Sequence, residues 1–133
     1  MTIVFDTNVI VAGLVVEGLC REVVEIHLPD HTPILSRALW DELVEKLRDK
    51  FALTPDDLPL LALYRRHATW VEPLPLERPA CRGPDDNWVL ATAVAGQAEA
   101  IVTGDGDLLA LSAYRGVAIM SPRQLIERLT AQA

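Results

Sequence analysis

Short apolar runs alternate with longer amphipathic ones along the whole chain. Thr2-Ile3-Val4-Phe5 is β-branched and aromatic, and with Asp6 it predicts a buried strand over 2–6. A short helix over Asn8–Val15 is expected next, then another over Leu19–His27 with Leu19, Val23, Val24 and Ile26 apolar. Thr32-Pro33-Ile34-Leu35 reads as a brief strand. Ser36 suits the cap of a helix through Lys50, with Leu39, Trp40, Leu43, Val44 and Leu47 on one face. Thr54-Pro55, a cap residue followed by proline at the first helical position, predicts a helix to about Ala68, with Pro59 tolerated near its first turn.

Thr69–Glu72 fits a short edge strand, and residues 73–84, with Pro73, Pro75, Pro79, Gly83 and Pro84, form the one long loop. An alanine-rich helix is expected from Asp85 or Asp86 to about Gln97. A strand over 100–103, a turn and short helix over 105–113, a strand over 117–120 and a helix opened by Ser121-Pro122 complete the pattern. Strands alternating with helices predict a three-layer α/β/α domain with a mainly parallel sheet and right-handed crossovers.

The 133 residues suit one domain over 1–133. Half are hydrophobic, which excludes a disordered chain. Charge or proline interrupts every apolar stretch before it reaches membrane-spanning length, and Asp6 breaks the N-terminal one. A soluble, cytoplasmic protein with no membrane partner is therefore expected.

Candidate chemistry gathers where strands end. Asp6 follows the first strand, and Asp105 and Asp107 follow Ala100-Ile101-Val102-Thr103-Gly104. Side chains just past the carboxyl ends of an open α/β sheet line its ligand crevice. Carboxylates there suit Mg²⁺ or Mn²⁺, which prefer hard oxygen ligands and serve phosphodiester hydrolysis. Without a cation such a cluster is costly, because like charges at close range force protonation. Asp85-Asp86-Asn87 stands at a helix start, where one residue can cap while another enters the crevice. Thr7, Asn8 and Thr103 offer short polar groups for water around a cation. Gly104 and Gly106 would permit a tight turn that aims Asp105 and Asp107.

The net charge of −7 argues against broad nucleic-acid affinity. Lys46, Arg48 and Lys50 form one basic group and Arg65, Arg66 and His67 another, each read as a solvated helix face. Cys20 and Cys81 form no CxxC and read as reduced thiols, while His27, His31 and His67 sit in separate segments, so no zinc pattern arises. Trp88, beside the acids, could stack on a base but reads first as core, as Trp40 and Trp70 do more strongly. An aspartyl-nucleophile phosphotransferase usually needs a second Asp two residues after the first, and Asn8 stands there.

The same residues carry a family resemblance. Ile3-Val4-Phe5-Asp6-Thr7-Asn8-Val9 resembles the first motif of PIN-domain nucleases. Gly83-Pro84-Asp85-Asp86-Asn87 with Val89-Leu90-Ala91-Thr92-Ala93, and Ile101-Val102-Thr103-Gly104-Asp105-Gly106-Asp107-Leu108-Leu109, resemble segments of the branch of toxin–antitoxin toxin components. The resemblance covers essentially the whole chain. It implies a PIN fold and a Mg²⁺- or Mn²⁺-dependent endoribonuclease acting on RNA. It also implies a toxin blocked by a cognate antitoxin protein, and by analogy a homodimer. Carried over, the catalytic acids are Asp6, Glu42, Asp86 and Asp105, the metal ligands are Asp6, Asp86, Asp105 and Asp107, and Thr7, Asn8, Asn87 and Thr103 support them. Glu42 rests on the likeness of Ser36…Glu42-Leu43 to the family's helix motif. Periodicity alone leaves it on a polar face with Asp41, Glu45 and Asp49. The alternative is a non-catalytic RNA- or partner-binding module on a degenerate PIN fold.

Overall fold

The computed structural model describes residues 1–15, 22 and 30–132; the helix expected over Leu19–His27 falls, apart from Glu22, outside them. Strands β1 (Thr2–Phe5), β2 (Thr32–Ser36), β3 (Thr69–Val71), β4 (Ala100–Val102), β5 (Ala113–Tyr114) and β6 (Val117–Met120) form one sheet in the order β3-β2-β1-β4-β6-β5. Every pair is parallel except β5–β6. The helices are α1 (Thr7–Val15), α2 (Arg37–Phe51), α3 (Pro59–His67), α4 (Pro84–Ala95), α5 (Gly106–Leu111) and α6 (Pro122–Gln132). This is the α/β architecture with a mainly parallel sheet that the alternating pattern called for. Among the described residues no helix is long and apolar enough to cross a membrane.

β1 and β4 are the central strands, and Ile3, Val4, Ala100, Ile101 and Val102 are wholly buried in them. Continuous apolar runs are what strands covered on both faces require. Phe5 lies in register with Val102, and the Asp6 N–H donates to the Val102 carbonyl at 2.9 Å. From β1 the chain proceeds to β2 on one side, whereas β4 leads to β6 on the other. The switch point, where open α/β sheets form their crevice, therefore lies between β1 and β4. Asp6 and Thr103 step directly out of it.

Ser36 caps α2 as expected, its Oγ accepting the Leu39 N–H at 3.4 Å, and it also meets Thr92 Oγ1 of α4 at 2.8 Å. The two helices that flank the crevice are thus tied at their base. Gly96, just past α4, lies where a Cβ would come within 2.7 Å of Ile34 Cγ2, so only glycine lets α4 close this tightly on β2.

Four expectations need correction. The helix expected from Thr54-Pro55 is a 3₁₀ turn, Pro55–Asp57, separated from α3 by extended Leu58. Pro59 is the cause: a residue before proline is pushed out of the helical region, so the proline starts a new helix instead of continuing one. Second, β5 was not anticipated. It pairs with β6 through Arg115 and Gly116, whose φ values of 48° and 83° are the two positive angles that a tight hairpin turn demands. Third, neither Gly104 nor Gly106 has a positive φ or a neighbour that a Cβ would strike, so hydrogen bonds, not glycine, shape that turn. Fourth, Trp40 is buried but Trp70 is 41% exposed, because its strand is the sheet edge.

Candidate active site

Asp6 is 4% exposed, and burying a carboxylate demands strong partners. Thr103, directly across the switch point, donates its hydroxyl to Asp6 Oδ2 at 2.7 Å. The same Thr103 Oγ1 accepts the Asp105 N–H at 3.0 Å. One hydroxyl therefore fixes the buried acid and the turn carrying the next one. Asp105 caps α5, its Oδ1 accepting the N–H groups of Asp107 and Leu108 at 2.9 and 3.0 Å. Thr103→Val should leave a buried carboxylate oxygen and an amide unpaired, lowering unfolding stability by about 2–3 kcal/mol in urea melts.

From the other side comes α4. Its cap is Gly83, with Pro84 at the first helical position, so neither Asp85 nor Asp86 caps the helix as expected. Both lie in the first turn, where the helix dipole favours negative charge. Carboxylate oxygens of Asp86, Asp105 and Asp107 lie within 4.8 Å of one another, close enough to share one cation. Burial pushes the Asp86 carboxyl up to about 6, helped by the charges of Asp105 and Asp6, a hydrogen bond to Asp105 and the charge of Asp107. Burial first, and the neighbouring charges after it, favour the protonated carboxyl, the response of a partly buried acid cluster short of positive charge.

Glu42 approaches from α2. Burial raises its pKa, Lys46 lowers it by a hydrogen bond and by charge, and Asp85 and Asp6 raise it again. Asp6 is thus the acid felt from both sides, by Asp86 and by Glu42, although the closely spaced trio includes neither Asp6 nor Glu42. Lys46 Nζ meets Glu42 Oε1 at 2.7 Å and Asn8 Oδ1 at 2.9 Å. Its side chain is only 22% exposed, so the solvated-face reading of Lys46 is overturned. The signal in the sequence was the i,i+4 pairing with Glu42. A groove of about 500 Å³ opens beside these groups, lined by Asp41, Glu42, Lys46, Lys50, Asp85 and Trp88.

Asn87 is engaged elsewhere. Its Oδ1 accepts the N–H groups of Ala80 and Cys81, and its Nδ2 donates to the carbonyls of Cys81 and Gly83, all within 2.8–3.1 Å. Two donors and two acceptors are the whole capacity of a carboxamide, so Asn87 clamps the preceding loop and has nothing left for a cation shell. In the same loop the exposed guanidinium of Arg82, unanticipated from sequence, lies 3.4 Å from Asp107 Oδ1. Asn87→Asp should set a carboxylate against two carbonyls, costing about 1–3 kcal/mol in thermal unfolding, and should bring no gain in Mn²⁺ affinity. Cys81, in the same loop, has its thiol pKa raised by burial and by Asp86, Asp107 and Asp105, which disfavours the thiolate.

Among the described residues Thr7 Oγ1 is buried without a hydrogen-bond partner, a state that costs about 1–3 kcal/mol unless something fills it. It sits one residue from Asp6, at the start of α1. A hydrated divalent ion fits this donor set: hard oxygens for the ion, and an orphaned hydroxyl for its water.

The family model described as PIN domain matches residues 2–107, from β1 into the first turn of α5, so it contains every acid named above. A search of curated proteins found no match.

Proposed function

The chain belongs to the PIN domain family, and from that premise we propose a divalent-metal-dependent endoribonuclease centred on the strand-end acids. PIN domains are usually metal-dependent nucleases, and nuclease-type chemistry goes with the family. The observation that carries the reading is the gathering of Asp86, Asp105 and Asp107 beside buried Asp6 at the β1/β4 switch point.

Asp86, Asp105 and Asp107 would hold Mg²⁺ or Mn²⁺, with Asp6 adding charge from below. When bound, such an ion activates water and neutralises charge on a phosphoryl group. Thr103 positions Asp6 and Asp105 together, and Thr7 Oγ1, next to Asp6 in the chain, would be free to hydrogen-bond a water of the ion. Lys46 positions Glu42 through Oε1, leaving Oε2 to take the proton of an attacking water. Lys46, held by Glu42, and the exposed Arg82 beside Asp107 would supply positive charge for the phosphodiester. In-line attack by water that breaks the P–O3′ bond, the 3′ oxygen leaving as a hydroxyl, would give 5′-phosphate and 3′-hydroxyl ends.

The test is cleavage of single-stranded RNA with Mg²⁺ or Mn²⁺, with EDTA and Asp6→Asn as controls. Cleavage lost in both controls is expected. Cleavage surviving both would sink the metal–carboxylate reading, and RNA binding with no cleavage would favour a degenerate binding module.

We extend the reading to the toxin of a toxin–antitoxin pair, a homodimer held by a cognate antitoxin protein. Support comes from the sequence motifs at Gly83–Ala93 and Ile101–Leu109. Expression of the chain alone should arrest growth; harmless overexpression of active enzyme would count against it.

A further inference from the structure

Two strands along the sheet from β1, one strand and two helices build a second polar–aromatic surface. Trp40 of α2 and Trp70 of β3 meet edge to face, with centroids 6.2 Å apart at 64°. The Arg65 guanidinium of α3 lies 4.9 Å from the Trp40 centroid and 5.8 Å from that of Trp70. A cavity of about 370 Å³ opens over them, lined by Trp40, Pro55, Asp56, Arg65, Arg66 and Trp70. Both arginines are exposed, and among the described residues neither pairs with a carboxylate, although the chain carries 19 acids.

We propose that this groove binds single-stranded RNA, a base stacking on the open Trp70–Arg65 surface while Arg65 and Arg66 meet the neighbouring phosphates. This rests on the endoribonuclease reading for the substrate class; the groove itself rests on its own residues. Every base has a π face, so stacking on an aromatic platform beside cations is the sequence-tolerant way to hold a single strand. Guanidinium groups add phosphate recognition through paired N–H donors.

Charge decides for RNA over a peptide. A chain of net charge −7 repels a polyanion, so a strand reaching the acids must be anchored where cations stand unpaired. β3 has only three residues, too short an edge to template a partner's strand. It lies two strands from β1, about 10 Å at the usual strand spacing, so one RNA strand can reach from groove to crevice.

The test is fluorescence anisotropy of a labelled short single-stranded RNA in EDTA, where no cleavage intervenes. Trp70→Ala and Arg66→Gln should each weaken binding about tenfold, within the range for loss of a stacked base or a phosphate contact. Trp70→Phe, which keeps an aromatic face, should hold affinity near wild type. Arg66→Gln lies on an exposed helix turn and keeps the test valid if Trp70→Ala fails to fold. Unchanged affinity in the folded variants, or no binding by the wild type, overturns the proposal. A variant that alters only the molecular mass in light scattering also overturns it, making the face a contact between copies. Trp70-dependent binding without Mn²⁺-dependent cleavage would leave the groove standing and remove the nuclease reading. Cleavage with binding indifferent to both substitutions would do the reverse.

Discussion

Asp105→Asn is expected to remove RNA cleavage while leaving the fold in place. Asp105 does two jobs through one side chain: Oδ1 caps α5, and the carboxylate charge joins Asp86 and Asp107 in the cation-sized cluster. Asparagine caps helices as well as aspartate, so the bonds to the Asp107 and Leu108 amides survive. What disappears is a unit of negative charge at the proposed ion. Groups that merely support metal ligands typically cost about 10–100-fold when changed, so loss of a ligand should exceed about 100-fold in cleavage rate. Stability should be unchanged or slightly higher, because Asp105 is a principal charge holding the Asp86 carboxyl up. Asp105→Ala separates the two jobs from the other direction, losing the cap and about 1 kcal/mol with the activity. Full cleavage by a folded Asp105→Asn protein would show that the chemistry lies elsewhere.

The parts of this centre that sequence exposes are those whose chemistry and position coincide. Asp6 and Asp105 end apolar strand runs, and a parallel sheet sends such residues to one edge whatever the packing. Thr103 was legible for the same reason, though not that it bridges both acids. Glu42 had no local signal: on a polar helix face it matches Asp41 and Glu45, and only the packing of α2 against α1 and α4 turns it inward. Lys46 was hidden by averaging it with Arg48 and Lys50, two residues that do remain exposed. Asn87 misled because its neighbour Asp86 is an acid of the crevice, whereas a side chain one position on points about 100° around the helix. There it meets the loop backbone. The hairpin at Arg115-Gly116 escaped because β5 is only two residues long, too short for any periodicity.

Metal binding and pH should act together on stability. In the metal-free protein the Asp86 carboxyl stands at about 6 against an ordinary 3.8. The folded chain thus binds more protons than the unfolded one between those values, and stability falls as pH rises through that window. Asp86 is only partly buried, so solvent screening reduces the effect to about 1 kcal/mol. A divalent ion competes with the same proton, so it should bind weakly below pH 6 and firmly above. At a hundredfold excess over its dissociation constant it would add about 2.7 kcal/mol. For a chain of this length that raises the melting temperature by roughly 8–10 °C. Thermal melts with Mn²⁺ or EDTA, well below and well above pH 6, should therefore coincide in acid and separate in base. Asp86→Asn should weaken the decline of the metal-free melts with pH, leaving only the part due to Glu42, whose pKa is also raised, and Mn²⁺ should no longer shift them. An equal Mn²⁺ shift at both pH values, or one retained in Asp86→Asn, would mean that the ion binds away from this acid, and the proposed centre would have to be abandoned.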